Sequence, residues 1–257
     1  MGGMSSPPAR SAPPQPLTRR AEYRQATIDE IKTLARRQLA EQGPGALSLR
    51  AIARQMRTAA SALYRYFASH DELITALCAD AYDALAAAVS AARDAAQPAG
   101  PAGQWWAICR AFRRWALDNP ADFALIFGTP VPGYRAPEHV TAPAAGRSIA
   151  VSLNVYAAAV AAGAADPGRT RVPETLTAGE LLPALLGDVA PGYPPQLAGI
   201  VLSAYASLLG YLVAEIFGSL PRLVDDTDRL YRAHVRTVML GMGFGPALID
   251  AADGHGT

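Results

Sequence analysis

Apolar residues recur at spacings of three and four through most of the chain, and convincing strand alternation is absent. Ile28, Ile31, Ala35 and Leu39 form a stripe that predicts a first helix from about Tyr23 to Gln42, stopped by Gly43-Pro44-Gly45. Ser48 is a good N-cap for a short second helix that buries Leu49, Ile52, Ala53 and Met56. A third helix starts near Ala59 or Ala60 and runs to about Phe67, with Leu63 and Phe67 inward. Asp71 and Glu72 open a fourth, where acids complement the helix dipole. Leu73, Leu77, Ala81, Leu85 and Val89 carry it to about Ala96, and residues 97–103 read as a break.

Beyond the break, Gln104 to Leu117 is helical and rich in aromatic residues. Asn119-Pro120, a cap followed by proline at the first helical position, restarts a helix over Ala121 to Phe127. Gly128 to Gly146 contains four prolines and reads as a loop, Arg147 to Ala162 as a helix, and Gly163 to Pro195 as loop with one turn at Ala178 to Leu186. Gln196 to Leu220 is the most apolar segment. Its length would permit a membrane span, but Glu215, Tyr205, Tyr211 and several serines dilute it, so a buried helix is the better reading. Gly199, Ser203, Ala206 and Gly210 give that helix a small face, open to close approach by a second helix. A last helix, Asp225 to Leu240, carries a seam of Tyr231, Val235, Val238 and Met242, ended by Gly241 and Gly243. The chain is therefore all-α. It divides into a Pro-rich, disordered tail (1–21), a three-helix head (22–70), a larger helical body (71–245) and a flexible C-terminus (246–257).

Charge changes this picture by giving the two ends opposite signs. Residues 1–75 carry eleven Lys/Arg against six Asp/Glu, a net of +5, while the remainder carries twelve against sixteen, a net of −4. A basic front and an acidic back suit a protein that presents one end to a polyanion. In a steeply crossed helix pair, Ala60, Ser61, Tyr64 and Arg65 of the third helix face outward. Short side chains let the backbone sit deep in a groove, Arg can bond guanine bidentately, and hydroxyls can take phosphates. Arg10, Arg19 and Arg20 could act as a flexible arm on DNA. Cys78 and Cys109 lie in apolar patterns, as reduced buried thiols of a cytosolic protein do. The four histidines have no metal-ligand spacing, and no metal or cofactor is expected. No nucleophile elbow, P-loop or dinucleotide fingerprint is present, so the enzyme class has no supporting motif.

These residues resemble the TetR family of bacterial transcriptional regulators. The resemblance rests on S-L-R-A-I-A at Ser48–Ala53, A-L-Y-R-Y-F at Ala62–Phe67 and D-E-L at Asp71–Leu73. Further on, R-A-F-R-R-W-A-L-D-N-P at Arg110–Pro120 is similar to the subfamily whose C-terminal module is called WHG. The resemblance implies that Ser48 caps the second helix and bonds a phosphate, and that Arg50 reaches a base edge or phosphate. Ala60, Ser61 and Ala62 would lie against bases, Tyr64 would touch a phosphate or a thymine methyl, and Tyr66 and His70 would hold phosphates. Thr58 and Arg65 complete the expected DNA-contact set. Three positions depart from the family: Arg57 where the turn usually has Gly, Ala59 where Ser or Thr opens the third helix (with Thr58 as a substitute cap), and His70 where Lys is usual.

The family resemblance further implies a cytoplasmic homodimer on a double-stranded, palindromic operator, released by a small hydrophobic effector, with no membrane partner. Gly199, Ser203, Ala206, Gly210, Tyr231 and Val235 are the expected dimer surface. Trp105, Phe112, Trp115, Phe127 and Tyr156 are the expected effector pocket, or else simply core. The alternative is a helical adaptor that no longer binds DNA, as the three departures would allow.

Overall fold

A computed structural model describes residues 18–43, 45, 47–128, 133–174, 179 and 193–254. Ten α-helices and no strands occur among the described residues. Helix α1 spans Arg19–Gln42, beginning earlier than the periodicity predicts because the Thr18 hydroxyl accepts a hydrogen bond from the Ala21 N–H at 3.3 Å. Residues 18–21 therefore belong to the head; the rest of the expected tail lies outside the described residues. Helix α2 is Leu49–Gln55, and Ser48 caps it by accepting from the Ala51 N–H. Helix α3, Ala60–Leu63, is a single turn, shorter than the expected run to Phe67; the chain continues as turns through Tyr66. Its N-cap residue is Ala59, with no side-chain cap bond, so Thr58 does not take over the capping role.

Helix α4, His70–Ala95, starts from a reciprocal cap. Ser69 Oγ accepts from the Glu72 N–H at 3.1 Å, and the Glu72 carboxylate accepts from the Ala68 N–H at 2.5 Å. The expected break after it is one 3₁₀ turn at Gln97–Ala99, and α5 already begins at Gly100 and runs to Asp118. Helix α6 is Pro120–Phe127. Helix α7 spans Glu138–Ala161 and so absorbs part of the segment read as a loop, with Pro143 inside it. Pro143 sits in the second turn, where its missing N–H forfeits one bond near the helix start rather than breaking a long interior. The turn expected at Ala178 to Leu186 lies outside the described residues.

Helix α8 is Pro195–Ile216 and α9 is Thr227–Gly241, capped by Asp226. Residues 246–254 are not a flexible end: α10, Pro246–Gly254, buries Ile249 and Ala252 and packs on α5. Arg232 and Arg236 of α9 pair with Asp253 and Asp250 across it.

Two hydrophobic cores result. Ile31, Leu39, Ile52, Leu63 and Phe67 fill the head core together with Leu73, Ile74, Leu77 and Cys78 of α4. Ala81, Leu85 and Val89 of the same helix enter the body core, with α5, α7, α8 and α9 around them. The first turns of α4 thus belong to the head, beyond the boundary expected at residue 70, and α4 is the shared beam of both units. By length and composition α4, α7 and α8 could each cross a membrane. Here α4 packs along α7, and α8 packs on α7 and α9.

Four helix ends share one hydrogen-bond pattern. After α7, α8 and α9, the N–H groups of Ala164, Ser219 and Phe244 reach back to Ala159, Ala214 and Met239, while Gly163, Gly218 and Gly243 occupy the left-handed position between. This is the Schellman arrangement. Helix α2 ends the same way, with Thr58 N–H on Ala53 O at 3.0 Å and Arg57 N–H on Arg54 O at 3.1 Å. There the left-handed residue is Arg57, at φ +53°, the one non-glycine with positive φ among the described residues.

Candidate nucleic-acid interface

The head is built so that packing consumes one face of α2 and α3 and leaves the other bare. Leu49, Ile52, Ala53, Leu63 and Phe67 are buried, whereas Arg50, Arg54, Arg57, Thr58, Ser61, Tyr64 and Arg65 are exposed. No ion pair among the described residues neutralises Arg50, Arg54, Arg57 or Arg65. Two of these guanidinium groups sit on α2 (Arg50, Arg54) and two on the turns that follow α2 and α3 (Arg57, Arg65), and with no ion pair they gain nothing for stability. The arrangement is suited to a polyanion. Ala60 is half-buried at the start of α3, as a residue pressed between core and groove would be.

The remaining expected contacts differ in how free they are. Ser48 spends its hydroxyl on the α2 cap, and its N–H donates to the buried Gln38 side chain at 3.0 Å, so its place is rigidly set. Tyr66 is half-buried beneath the Arg24 guanidinium, 5.3 Å from its ring centre. That contact sets α1 against the turn after α3; Arg19 and Arg20, earlier on α1, are exposed. His70 is the first residue of α4, with its Nδ1 3.6 Å from an Asp71 carboxylate oxygen.

A polar seam ties head to body. Arg36 of α1 grips Asp122 of α6 through Nε at 3.0 and 3.2 Å and reaches Asp80 of α4 at 3.2 Å, while Lys32 meets the other Asp80 oxygen at 2.8 Å. Asp122 is buried, so this cluster is well shielded on the body side. Thr75 and Tyr134 hydroxyls meet at 2.9 Å nearby. Sequence reasoning passed over the Lys32, Arg36, Asp80 and Asp122 cluster, since positions on three separate helices carry no spacing signal, and it grouped Tyr134 with the pocket aromatics rather than with Thr75.

The expected effector residues do not all gather. A cavity of about 20 Å³ between α4, α5, α7 and α8 has Trp105 and Phe112 in its wall, with Leu85, Ser148, Ser152 and Tyr205. Trp115, Phe127 and Tyr156 are elsewhere. Tyr156 is fully buried and donates to the Met242 carbonyl at 2.7 Å, a core role. Trp115 is buried outside the wall. Phe127 is half-buried and reaches the site only through edge contacts with Phe112 and Tyr205, themselves stacked at 5.6 Å. Ser148 and Ser152, four apart in an apolar helix, were the missed sequence signal.

The expected dimer surface also splits. Ser203, Ala206 and Gly210 are exposed along α8, with Gly199 half-buried beside them. A Cβ built on Gly210 meets nothing within 4 Å. Tyr231 and Val235 face the other way, 2% and 1% exposed within a single protomer, and the Tyr231 hydroxyl donates to the Cys109 carbonyl at 2.7 Å. Their helical seam is an internal one. Below it, Arg113 of α5 holds the buried Glu215 of α8 bidentately at 2.8 and 2.7 Å and stacks over Tyr231, which locks α5, α8 and α9 together.

Comparison with known proteins fits this geometry. The family model described as bacterial regulatory proteins, tetR family, matches residues 23–77, and one described as tetracyclin repressor-like, C-terminal domain, matches residues 105–238. The HTH-type transcriptional regulators Rv1816 of Mycobacterium tuberculosis and Mb1846 of Mycobacterium bovis are each 45% identical over 145 residues, which is 56% of this chain. The matched segment spans only 62% of those relatives' length. The crystal structure of the putative regulatory protein SCO4313 is 37% identical and covers 86% of this chain and 99% of its own, with a TM-score of 0.67. A tetR-family protein from Rhodococcus RHA1, 17% identical, covers 85% of this chain and 97% of its own at a TM-score of 0.58, and so shares the fold. With head, body and matched segments in agreement, the chain belongs to the TetR family of bacterial transcriptional regulators.

Proposed function

We propose that this chain is a ligand-responsive repressor that binds a palindromic operator as a homodimer in the cytoplasm and leaves it when a small hydrophobic effector enters the body. The observation that carries the reading is the exposed, unneutralised basic face formed by α2 and the turns after α2 and α3, set on a packed head core. One α3 turn covers few base pairs, so specific binding calls for two heads about one DNA turn, roughly 34–36 Å, apart. The exposed small-residue face of α8 supports pairing of two protomers, and isologous contact along it favours a two-fold dimer. The Arg36–Asp122 seam supports coupling, because α6 touches α1 on one side and carries Phe127 toward the Phe112–Tyr205 stack on the other. An effector that shifts α6 gains leverage on the head only by favouring the displaced state.

The test is a footprint on the DNA flanking the chain's own gene. Two protected half-sites are expected, and Arg50→Ala should weaken them by about 1–3 kcal/mol. Absence of any protected site at low salt would favour the adaptor reading.

A further inference from the structure

We infer that the effector is an uncharged, largely apolar molecule with a hydrogen-bond acceptor, and that the indole N–H of Trp105 is the donor that holds it. This deepens the regulator reading and rests on it. The cavity wall, among the described residues, contains no charged side chain. An ionised ligand would lose its hydration there and find no counter-charge, a cost that apolar contacts do not offset. Leu85, Phe112 and Leu208 supply the apolar surface.

The polar groups then set the ligand's one polar feature. Trp105 is 1% exposed, and its Nε1 has no hydrogen-bond partner among the described residues. An indole N–H is a donor only, and a buried donor left unpaired is costly enough to need an explanation. Ser148 already donates to the Ala145 carbonyl at 3.1 Å, and Ser152 and Tyr205 also bring hydroxyls to the wall, but of the wall's side-chain donors Trp105 Nε1 is the one that is fully buried with no partner among the described residues. Trp115 Nε1 also lacks a partner but is not part of the wall, so it has no share in the proposal. As it stands, the cavity holds about one water molecule. The stacked rings of Phe112 and Tyr205 form part of the wall and are also in contact with Phe127 of α6, so a larger guest that parts them displaces the contact to α6.

Four probes of similar size test this on the free full-length protein, by thermal shift and by the resonance of ¹⁵N-labelled indole groups. Acetophenone is neutral with an acceptor, isopropylbenzene neutral without one, benzoate anionic and phenyltrimethylammonium cationic. Acetophenone should bind about tenfold more tightly than isopropylbenzene, move the Trp105 N–H resonance, and leave the two ions without effect. Trp105→Phe should remove the preference for acetophenone while isopropylbenzene still binds. Equal or tighter binding of an ion, an unmoved Trp105 resonance, a preference that survives Trp105→Phe, or no binding by any probe would each overturn the inference. The last result would leave the cavity as a water site. The footprint is read separately: a protein that protects DNA but takes no neutral probe loses only this inference, and one that takes acetophenone but never protects DNA loses the regulator reading.

Discussion

Arg57 is where the chain carries local strain. Three other helix ends with the same hydrogen bonds use glycine at the left-handed position, and only the end of α2 uses a residue with a Cβ. Arg57→Gly should therefore raise head stability by about 1 kcal/mol, read as a higher midpoint in urea unfolding. An unchanged or lower midpoint would show that the arginine's aliphatic stem more than offsets its backbone cost. Ser69 is the converse case. Its cap on α4 is reciprocal with Glu72, so Ser69→Ala should lower stability by about 1 kcal/mol in the same measurement. The Arg57 departure was legible in the sequence because the neighbouring motif defines the turn. Ser69 is legible as S-x-x-E before an apolar run, although Asp71 and Glu72 already mark the same helix start through the dipole.

Among the elements, the head–body seam and α8 make separate claims. Arg36 and Asp122 are coupled through a partly exposed guanidinium and a buried carboxylate. A double-mutant cycle on Arg36→Ala and Asp122→Ala should give a coupling of about 1–2 kcal/mol; a value near zero would mean α1 and α6 merely touch. On α8, Gly210→Leu fits the protomer, since nothing occupies the space its side chain enters. It should leave the fold intact and weaken self-association seen by light scattering, whereas an undiminished dimer would place the interface elsewhere. Helical periodicity located α8 and α9 but not their partners. The seam of Tyr231, Val235 and Val238 was visible as apolar, yet an apolar stripe looks the same whether it faces the protomer's own α5 or a second copy. Prolines hid the start of α7, and residues 246–254 are too short and mixed for periodicity to show that α5 would hold them as α10.

Across the whole molecule, burial ties folding to alkaline pH. Burial pushes the Cys78 thiol from 9.0 up to about 11, with a hydrogen bond involving Tyr134 partly opposing it, and pushes the Tyr156 phenol from 10.0 up to about 12. Both groups hold their protons longer when folded, so the unfolded chain loses protons first. Stability should be unaffected by these groups below about pH 9 and should fall as pH rises through 9–12. A flat urea midpoint across that window would contradict the burial of both groups. The division into a basic head and an acidic body was readable from charge and motif, because both are properties of contiguous sequence. The seam at α1, α4 and α6 and the cavity at α4, α5, α7 and α8 were not, since each draws single residues from distant helices. The central claim is that the bare arginine face is there for DNA. Operator affinity measured by fluorescence anisotropy over a salt series tests it most directly. The account expects log affinity to fall linearly with log salt, with a slope shallower by about 1 for each of Arg50→Ala and Arg65→Ala that removes a phosphate contact. An affinity independent of salt, or a slope untouched by both substitutions, would contradict it.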